Sequence, residues 1–350
     1  MSEENRFVLA TGERREALRE FSAGDMSTES IQEQGVKRSA EPIITIEHLV
    51  KRYKKATVNA VDDVSFQVPP GSFFALLGPN GAGKSTIISI LTTTLSMSSG
   101  QVRIAGYNPL TRPTEVRRHI GIVFQRPSLD VNLSAEENVR LHATLYGLYP
   151  YRPAFALMPQ IYRDHVRELA KLLDIEKSLF KPVKTFSGGM KRKLEIMRSL
   201  LHRPEVLFLD EPTTGLDPES RSSLWEYLNR VRRESGTTIF LTTHYLEEAE
   251  EANHICIINN GRIVASGTPE GIKNELARPS LLIDAPEHQR LRAELQALHL
   301  PFQEEKHFRL LLNGHEVQRA LRMITTSLSV VRTYAPTLED VYLKLVRENA

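Results

Sequence analysis

Short apolar runs recur along the middle of the chain, separated by longer segments with helical spacing. Continuous apolar runs are typical of strands covered on both faces, whereas half-exposed strands alternate apolar and polar residues. The strands predicted in this way span residues 43–50, 64–68, 72–77, 101–104, 121–124, 206–209, 238–242, 255–259 and 262–266. Asn260-Gly261 between the last two is typical of a hairpin turn. Strands alternating with helices indicate a layered α/β core.

The segments between these strands carry helical patterns and one interruption. The predicted helices span residues 87–95, 134–146, 161–174, 218–234 and a stretch that begins at 187. Ser134 and Glu137 form a capping-box pattern, which marks the start of the second helix. Pro150, Pro153 and Pro159 exclude a regular helix between residues 146 and 160, so an irregular insertion is predicted there.

The two ends of the chain differ from this middle part. Residues 1–41 are rich in Ser, Glu, Gln, Gly and Arg and predict a flexible N-terminal extension, in which residues 13–21 have the spacing of a short amphipathic helix. From residue 277 onwards strands and helices alternate again, and Thr337 caps a final helix. We therefore predict an extension (1–41), an α/β domain (42–276) and a small C-terminal α+β module (277–350).

Composition and charge narrow the classes of function. Apolar residues make up 41% and charged residues 25% of the chain, as in soluble globular proteins. The formal net charge of +2 gives no support for a nucleic-acid partner. Cys256 is the only cysteine, which excludes an intrachain disulfide and suits a reducing compartment. No apolar run is long enough to cross a bilayer, so any membrane-spanning part is expected on another chain.

A glycine-rich stretch after the predicted strand at 72–77 fits the pattern Gly, four residues, Gly-Lys-Ser/Thr. Such a turn directs several backbone N–H groups at one point, and the following helix adds the positive end of its dipole. Gly81 and Gly83 lack a Cβ, which predicts close approach of phosphate oxygens to the backbone. Lys84 supplies a charge for the β- and γ-phosphates, and the Ser85 hydroxyl can bind Mg²⁺. The residues of this predicted cradle are Gly78, Pro79, Asn80, Gly81, Ala82, Gly83, Lys84, Ser85 and Thr86.

Two adjacent carboxylates follow the apolar strand at 206–209. Asp210 stands where an ATP hydrolase holds Mg²⁺, and Glu211 is its neighbour. Because successive residues at a strand end point in different directions, one carboxylate can face the metal and the other an attacking water.

Other polar features lie beside strand ends or open a helix. Gln125 and His244 each follow a predicted strand, at the edge where open α/β sheets bind ligands. Gln125 is a candidate for contact with the metal or the water, and His244 for contact with the γ-phosphate. Ser187-Gly188-Gly189 opens a helix whose N-terminus suits phosphate. The basic run Lys191-Arg192-Lys193 that follows is interpreted as a solvated face. Taken singly, each feature is also typical of an ordinary loop, turn or cap, and only their joint order indicates a nucleotide site.

Read in that order, residues 43 to 275 resemble the ATP-binding subunit of ABC transporters. Tyr53 matches the adenine-stacking aromatic residue, the cradle matches Walker A, and Gln125 matches the Q-loop. The other matches are Phe186-Ser187-Gly188-Gly189-Met190 (signature), Val206 to Pro212 (Walker B with Glu211 as the catalytic glutamate), Gly215-Leu216-Asp217 (D-loop) and His244 (switch histidine). The resemblance implies ATP and Mg²⁺ as cofactors. It assigns Glu211, His244 and Gln125 to catalysis, and Ser85, Gln125 and Asp210 to the metal. The implied fold is a P-loop ATPase core with antiparallel and helical subdomains.

The resemblance also implies partners. Two copies are expected to pair head to tail, so that Ser187 to Gly189 and Asp217 of one chain complete the cradle of the other. The homodimer would sit at the cytoplasmic face of the membrane and drive an integral membrane permease on another chain. Stretches such as PTLEDVYLKL look like the branch of daunorubicin-resistance ATPases and related drug, lipid or polysaccharide exporters. Two alternatives stay open, an importer ATPase and a soluble non-transport ABC ATPase. Phe186 and Met190 depart from the commonest signature, and the proline-rich insertion departs from this branch.

Overall fold

A computed structural model describes residues 41–125, 128–276, 280–304, 306–311, 314–334 and 337–348. The chain divides into two units, Met1–Ser39 and Ala40–Ala350, and all described residues belong to the second. The predicted helix at residues 13–21 and nearly all of the predicted extension lie outside the described residues.

Three sheets are formed by the strands of the described part of the chain. In chain order these strands are β1 (Ile44–Lys51), β2 (Val61–Val68), β3 (Phe73–Leu77), β4 (Ser99–Ile104), β5 (Ile120–Val123), β6 (Val206–Asp210), β7 (Thr238–Thr243), β8 (His254–Asn259), β9 (Arg262–Gly267), β10 (Ser280–Asp284), β11 (Phe302–Glu304), β12 (Phe308–Leu311) and β13 (Val330–Tyr334). The sheet orders are β2-β1-β4, β5-β6-β7-β3-β8-β9 and β11-β12-β10-β13. The nine strands predicted up to residue 266 are therefore confirmed, with bounds that differ by a few residues.

Helices cover the central sheet and link its strands. In chain order they are α1 (Lys84–Leu91), α2 (Pro113–His119), α3 (Ala135–Leu145), α4 (Gln160–Leu172), α5 (Gly188–Leu200), α6 (Pro218–Ser235), α7 (Leu246–Glu250), α8 (Pro269–Leu276), α9 (His288–Ala297), α10 (Gly314–Met323) and α11 (Leu338–Glu348). The predicted end of α1 near residue 95 is wrong. Thr92 donates its hydroxyl to the Ile88 carbonyl, and Thr93 adopts a φ of 64°, which no α-helix accommodates.

The central sheet lies in the interior because its strands are apolar. Every residue of β3, β6 and β7 is buried. Strands β5, β6, β7, β3 and β8 run parallel, and only β9 is antiparallel to its neighbour. Parallel pairing places the carboxyl ends of β3, β5, β6 and β7 at one edge, and the loops that leave this edge carry the candidate site. Stacked rings of Phe66, Phe74 and Phe240 fill the space between the central sheet and the antiparallel sheet.

The helical segment at residues 134–201 packs on the other face of the central sheet. Ser134 accepts a hydrogen bond from the Glu137 amide, and Glu137 accepts one from the Ser134 amide, so the predicted capping box is confirmed. The insertion before α4 is irregular as predicted, with only a 3-10 turn at Phe155–Leu157. Tyr162 of α4 is fully buried against it.

The C-terminal residues form a small sheet of their own and then return to the main body. Helices α9 and α10 pack on this antiparallel sheet around Leu281, Phe308 and their neighbours. The last helix does not join that core. Leu338 and Val341 of α11 are buried in the core beneath the central sheet, beside α8. The region predicted as a separate module is thus anchored to the main body by its final helix.

Within the described residues, none of the helices has the length and apolar content needed to cross a membrane.

Candidate nucleotide site

The cradle is a loop that joins β3 directly to α1. Its backbone is fixed by a hydrogen bond from the Gly78 amide to the Thr243 carbonyl (3.2 Å) and by one from the Ala82 amide to the Pro79 carbonyl (3.2 Å). Gly83 has a φ of 108°, and a Cβ there would lie 2.5 Å from the Ala60 carbonyl oxygen. Glycine at this position is therefore required by the protein's own packing, and the expected approach of phosphate to Gly83 stays a prediction. At Gly81 a Cβ would meet nothing within 4 Å, so that side of the loop is open.

Lys84 lies at the start of α1 with its side chain only 4% exposed. Its ammonium donates hydrogen bonds to the carbonyls of Gly78 (2.7 Å) and Pro79 (3.0 Å). The same nitrogen is 3.5 Å from Oε1 of Glu211. Burial lowers the pKa of Lys84, and the negative charge of Glu211 opposes this shift. A lysine whose charge is held in a desolvated loop interacts strongly with any anion that enters it.

Glu211, directly after β6, is the point where the predicted catalytic side chains meet. Gln125 donates from Nε2 to Oε2 of Glu211 at 3.0 Å. Nδ1 of His244 lies 3.5 Å from Oε1 of Glu211, and this buried nitrogen has no hydrogen-bond partner. The structure thus brings together Lys84, Gln125, Glu211 and His244, which lie on four separate segments of the chain.

Asp210 and Ser85 form a second pair of oxygen groups beside this cluster. Oγ of Ser85 lies 3.5 Å from Oδ1 of Asp210, and Thr242 donates its hydroxyl to the same oxygen at 2.5 Å. Thr242 was missed in the sequence, although its place at the carboxyl end of β7 is the same signal that identified Asp210 and Gln125. Carboxylate and hydroxyl oxygens are hard ligands that suit Mg²⁺.

Tyr53 lies just after β1 and leans towards the cradle. Its hydroxyl is 3.2 Å from the Thr86 hydroxyl, and the ammonium of Lys51 is 5.5 Å from the ring centroid. The residue remains 45% exposed. One aromatic face is therefore available for stacking beside the cradle.

The predicted signature residues form a separate cluster at the starts of α5 and α6. Ser187 caps α5 and accepts a hydrogen bond from the Met190 amide at 3.2 Å. Asp217 caps α6 and accepts from both the amide (2.9 Å) and the hydroxyl (2.7 Å) of Ser220. A Cβ at Gly189 would lie 2.7 Å from the Ser220 hydroxyl, so the two helix starts pack closely. None of the hydrogen bonds described for this chain joins Ser187, Gly188 or Gly189 to the cradle.

The solvated face predicted for residues 191–193 is wrong at its central residue. Arg192 is only 6% exposed and donates to the carbonyl of Pro212 at 2.7 Å. Burial lowers its pKa, and the neighbouring carboxylate of Glu195 opposes that shift. The sequence contained a signal for this burial. Arg192, Glu195 and Ser199 recur at the spacing of one helical face, and all three are buried.

A buried carboxylate that the sequence analysis missed connects the loops around Glu211 and His244. Glu248 accepts hydrogen bonds from the hydroxyls of Thr213 and Thr243, the latter at 2.6 Å. Burial raises the pKa of Glu248, while the two hydroxyls oppose the rise. Glu248 therefore holds the turn after Glu211 against the end of β7, from which His244 projects.

Comparisons with known proteins agree with this arrangement. The family described as "ABC transporter" matches residues 61–214. The chain is 34% identical to the daunorubicin resistance ATP-binding protein DrrA3 of Streptomyces coeruleorubidus over 89% of this chain and 98% of that protein. It is 41% identical to the Nod factor export ATP-binding protein I of Burkholderia thailandensis over 72% of this chain and 80% of that protein.

Solved structures show the same fold. The cbiO1 protein of Clostridium perfringens, part of an ABC transporter complex, is 29% identical, with a TM-score of 0.60 over 67% of this chain and 92% of that one. A dimeric ATP-binding cassette in a post-hydrolysis state with ADP and Pi is 26% identical, with a TM-score of 0.56 over 64% of this chain and 98% of that one. The α/β core with its antiparallel and helical additions is therefore the fold of an ATP-binding cassette. The chain belongs to the ABC transporter family and is an ATPase subunit of that family.

Proposed function

We propose that this chain binds and hydrolyses ATP to drive export of a drug, lipid or polysaccharide through a separate integral membrane permease. The observation that carries the catalytic part is the convergence of Lys84, Gln125 and His244 on the carboxylate of Glu211. Lys84 is positioned to hold the β- and γ-phosphates, and Glu211 to polarise the attacking water as a general base. His244, whose Nδ1 faces Glu211, is the candidate to donate a hydrogen bond to the γ-phosphate.

The residues beside this cluster fit a magnesium ion. Ser85 and Asp210 offer hydroxyl and carboxylate oxygens 3.5 Å apart, and Gln125 contributes an amide oxygen in this proposal. Mg²⁺ binds through few protein ligands because it retains water and phosphate oxygens, so this small set suffices. When bound, the ion neutralises charge on the phosphates. Tyr53 stacks on the adenine, and Gly78 to Thr86 surround the phosphates.

We infer that the second half of each site comes from another copy of the chain. Ser187, Gly188, Gly189 and Asp217 form a cluster with no described hydrogen bond to the cradle of the same chain, although the family resemblance assigns them to the nucleotide. A similar cassette is dimeric. A head-to-tail homodimer would place Ser187 to Gly189 of one chain opposite the cradle of the other. In an isologous dimer this arrangement gives two equivalent sites.

Exposed apolar side chains on the helical segment support docking to a membrane subunit. Leu145 is 84% exposed, Phe180 62% and Ile161 60%. A helical segment that exposes several large apolar side chains suits an interaction site. We therefore place the homodimer at the cytoplasmic face of the membrane, held there by its permease. The names of the similar daunorubicin-resistance and Nod factor export proteins favour export over import.

The substitution Glu211→Gln tests the catalytic assignment. Loss of a general base lowers hydrolysis by about 10²–10⁴-fold, whereas ATP affinity should remain within about twofold because Lys84 and the cradle are intact. Glu247→Gln is the matched control, since Glu247 is 87% exposed nearby and contacts only Arg221 among the described ion pairs. Hydrolysis at the wild-type rate in Glu211→Gln would remove Glu211 from this role.

Transport direction is tested in cells that express the chain with its permease and are given a fluorescent anthracycline. An exporter lowers the drug content of the cells, and Glu211→Gln abolishes this effect. Higher drug content than in cells without the pair would indicate an importer. Unchanged content for a drug, a lipid and a polysaccharide substrate would favour a non-transport ATPase.

A further inference from the structure

Arg192 uses every N–H group of its guanidinium inside the protein. Arginine carries five N–H donors in a rigid plane. Nε donates to the Pro212 carbonyl (2.7 Å), Nη1 to the Phe124 carbonyl (2.6 Å) and to Oε2 of Glu195 (3.0 Å), and Nη2 to the carbonyls of Asp210 and Glu211 (both 3.3 Å). The side chain is 6% exposed. A planar group with five simultaneous acceptors fixes the relative positions of those acceptors.

Two of these acceptors flank the residue proposed as the general base. The Asp210 carbonyl belongs to the peptide plane that precedes the Cα of Glu211, and the Glu211 carbonyl belongs to the plane that follows it. Nη2 of Arg192 therefore holds both planes that define the backbone dihedrals of Glu211. Glu211 has a φ of 45°, a sparsely populated conformation for a residue other than glycine. Such a conformation persists only where the surroundings over-determine it.

The remaining acceptors extend this control to the loop that carries Gln125. The Phe124 carbonyl belongs to the peptide plane that leads into Gln125. Glu195, the counter-charge of Arg192 one turn along α5, accepts a hydrogen bond from the Ser128 amide on the far side of that loop at 3.0 Å. One buried ion pair thus holds both sides of the Gln125 loop and the turn at Glu211.

We propose that Arg192 is a positioning residue for ATP hydrolysis, which sets the backbone of Glu211 and Gln125 and couples them to the signature helix α5. The proposal rests on the role proposed above for Glu211. Arg192 lies five residues after Ser187, the cap of α5, and belongs to the same helix. Movement of that cap against the nucleotide of the partner chain is therefore transmitted to the general base of its own chain. The Glu211 of a chain would be aligned for hydrolysis only when the signature residues of that same chain contact the nucleotide held by the partner chain.

The first test compares kcat for ATP hydrolysis with ATP affinity in Arg192→Lys. Lysine has three donors on one nitrogen and cannot reach five acceptors in different directions. Misplacement of a reacting group by about 1 Å costs on the order of 10²-fold in rate, so kcat should fall by about 10- to 100-fold. The dissociation constant for ATP, measured at equilibrium, should stay within about twofold, because the cradle is untouched. Lys191→Gln is the matched control on the same helix, since none of the described hydrogen bonds to this cluster comes from Lys191, and it should keep the wild-type kcat.

A double-mutant cycle with Glu211→Gln separates positioning from support of the fold. If Arg192 acts mainly through Glu211, Arg192→Lys should lower the residual single-turnover rate of the Glu211→Gln enzyme much less than it lowers the rate of the wild type, because only the positioning of Gln125 is then left to lose. Arg192→Gln repeats the cycle without a buried ammonium if the lysine variant fails to fold.

Three results would overturn the proposal. They are an unchanged kcat in Arg192→Lys, a loss of equal size in both Glu211 backgrounds, and a parallel loss of kcat and ATP binding. Failure of the underlying function looks different, because Glu211→Gln itself would then hydrolyse ATP at the wild-type rate.

Discussion

Glu211 combines an unusual backbone with the densest set of polar contacts in the site. Its φ of 45° costs on the order of 1–3 kcal/mol for a residue with a side chain. With this backbone, the carboxylate of Glu211 contacts both Lys84 and Gln125. Strain of this kind accumulates at functional sites, because the reacting group must sit where regular structure would not place it.

Tyr53 offers a residue-scale test of how the base of the nucleotide is held. Tyr53→Ala removes stacking of roughly 1–3 kcal/mol, so ATP affinity should fall by about tenfold or more. Tyr53→Phe and Tyr53→Trp should bind ATP almost as tightly as wild type, because each keeps an aromatic face and loses only the exposed hydrogen bond to Thr86. Equilibrium titration with a fluorescent ATP analogue measures all three. Tyr151→Ala is the matched control, as Tyr151 is an exposed ring outside the site. Equal affinity in the three Tyr53 variants would mean that the ring only packs locally.

At the scale of elements, the carboxylate of Asp284 links β10 to helix α9 and to the residue that precedes β12. Asp284 at the end of β10 accepts hydrogen bonds from Nδ1 of His288 (2.8 Å) on α9 and from Nδ1 of His307 (2.9 Å) beside β12. Nε2 of His288 also lies 3.4 Å from Glu304 of β11, which pairs with Arg292 at 3.2 Å. The bonds from His307 and His288 lower the pKa of Asp284 to about 2, and the bond to Asp284 raises the pKa of His288.

These shifts predict a pH-dependent contribution to stability. The raised pKa of His288 gives a contribution that is complete below its ordinary value of 6.5 and is lost as pH rises through the folded-state pKa. The lowered pKa of Asp284 gives a contribution present above 3.8 and lost as pH falls towards about 2. The difference in melting temperature between wild type and Asp284→Asn should therefore be largest between these limits and should shrink as pH rises through the raised pKa of His288. Calorimetry of the intact protein across this range measures this difference, with Glu287→Gln as a control at an exposed carboxylate. A difference that stays constant from acid to alkaline pH would contradict the assignment.

At the scale of the whole molecule, two clusters that the family resemblance assigns to one nucleotide occupy separate places. The cradle lies at the carboxyl edge of the central sheet, whereas Ser187 and Asp217 lie at the starts of α5 and α6. A dimer of this chain would share its nucleotide sites, so each chain would supply one half of each site.

The last helix, α11, packs against the main body through Leu338 and Val341.

Mixed dimers of two inactive variants test this sharing. Lys84→Ala and Ser187→Ala should each be nearly inactive alone. In a mixed dimer both lesions fall in one site, and the other site joins an intact cradle to an intact signature. Random mixing of equal amounts makes about half of the dimers mixed, so roughly a quarter of all sites should be intact. The hydrolysis rate of the mixture should exceed that of either variant, as measured by phosphate release.

The control for this experiment is Lys84→Ala mixed with the double variant Lys84→Ala, Ser187→Ala, which leaves no intact cradle and should remain inactive. If the first mixture is also inactive while its mixed dimers form, either the sites are not shared between chains or hydrolysis requires both sites of a dimer to be intact. ATP-driven dimerisation of wild type then shows whether the copies meet at all.

The sequence by itself determined the features that depend on neighbouring residues. The apolar runs predicted the strands of the central sheet, Ser134 and Glu137 predicted a helix start, and the glycine pattern at residues 78–86 predicted a cradle between strand and helix. Such features are readable because hydrogen bonding, capping and side-chain periodicity act over a few residues. The positions of Gln125 and His244 beyond strand ends were also visible, although not their common partner.

The tertiary structure alone decided which of these features meet. Gln125, Glu211 and His244 converge because β5, β6 and β7 are neighbours in the sheet, an order fixed by packing between distant segments. The same packing buried Arg192, although it lies in a run of basic residues that looks solvated, because five backbone and side-chain acceptors from three segments surround it. Likewise, the Ala60 carbonyl leaves no room for a Cβ at Gly83, and no local pattern predicts this contact across 23 residues. Strands, caps and turns depend on local geometry, so the sequence by itself determined them. The burial of Arg192 and the convergence of the site residues depend on the sum of long-range contacts, so only the tertiary structure decided them.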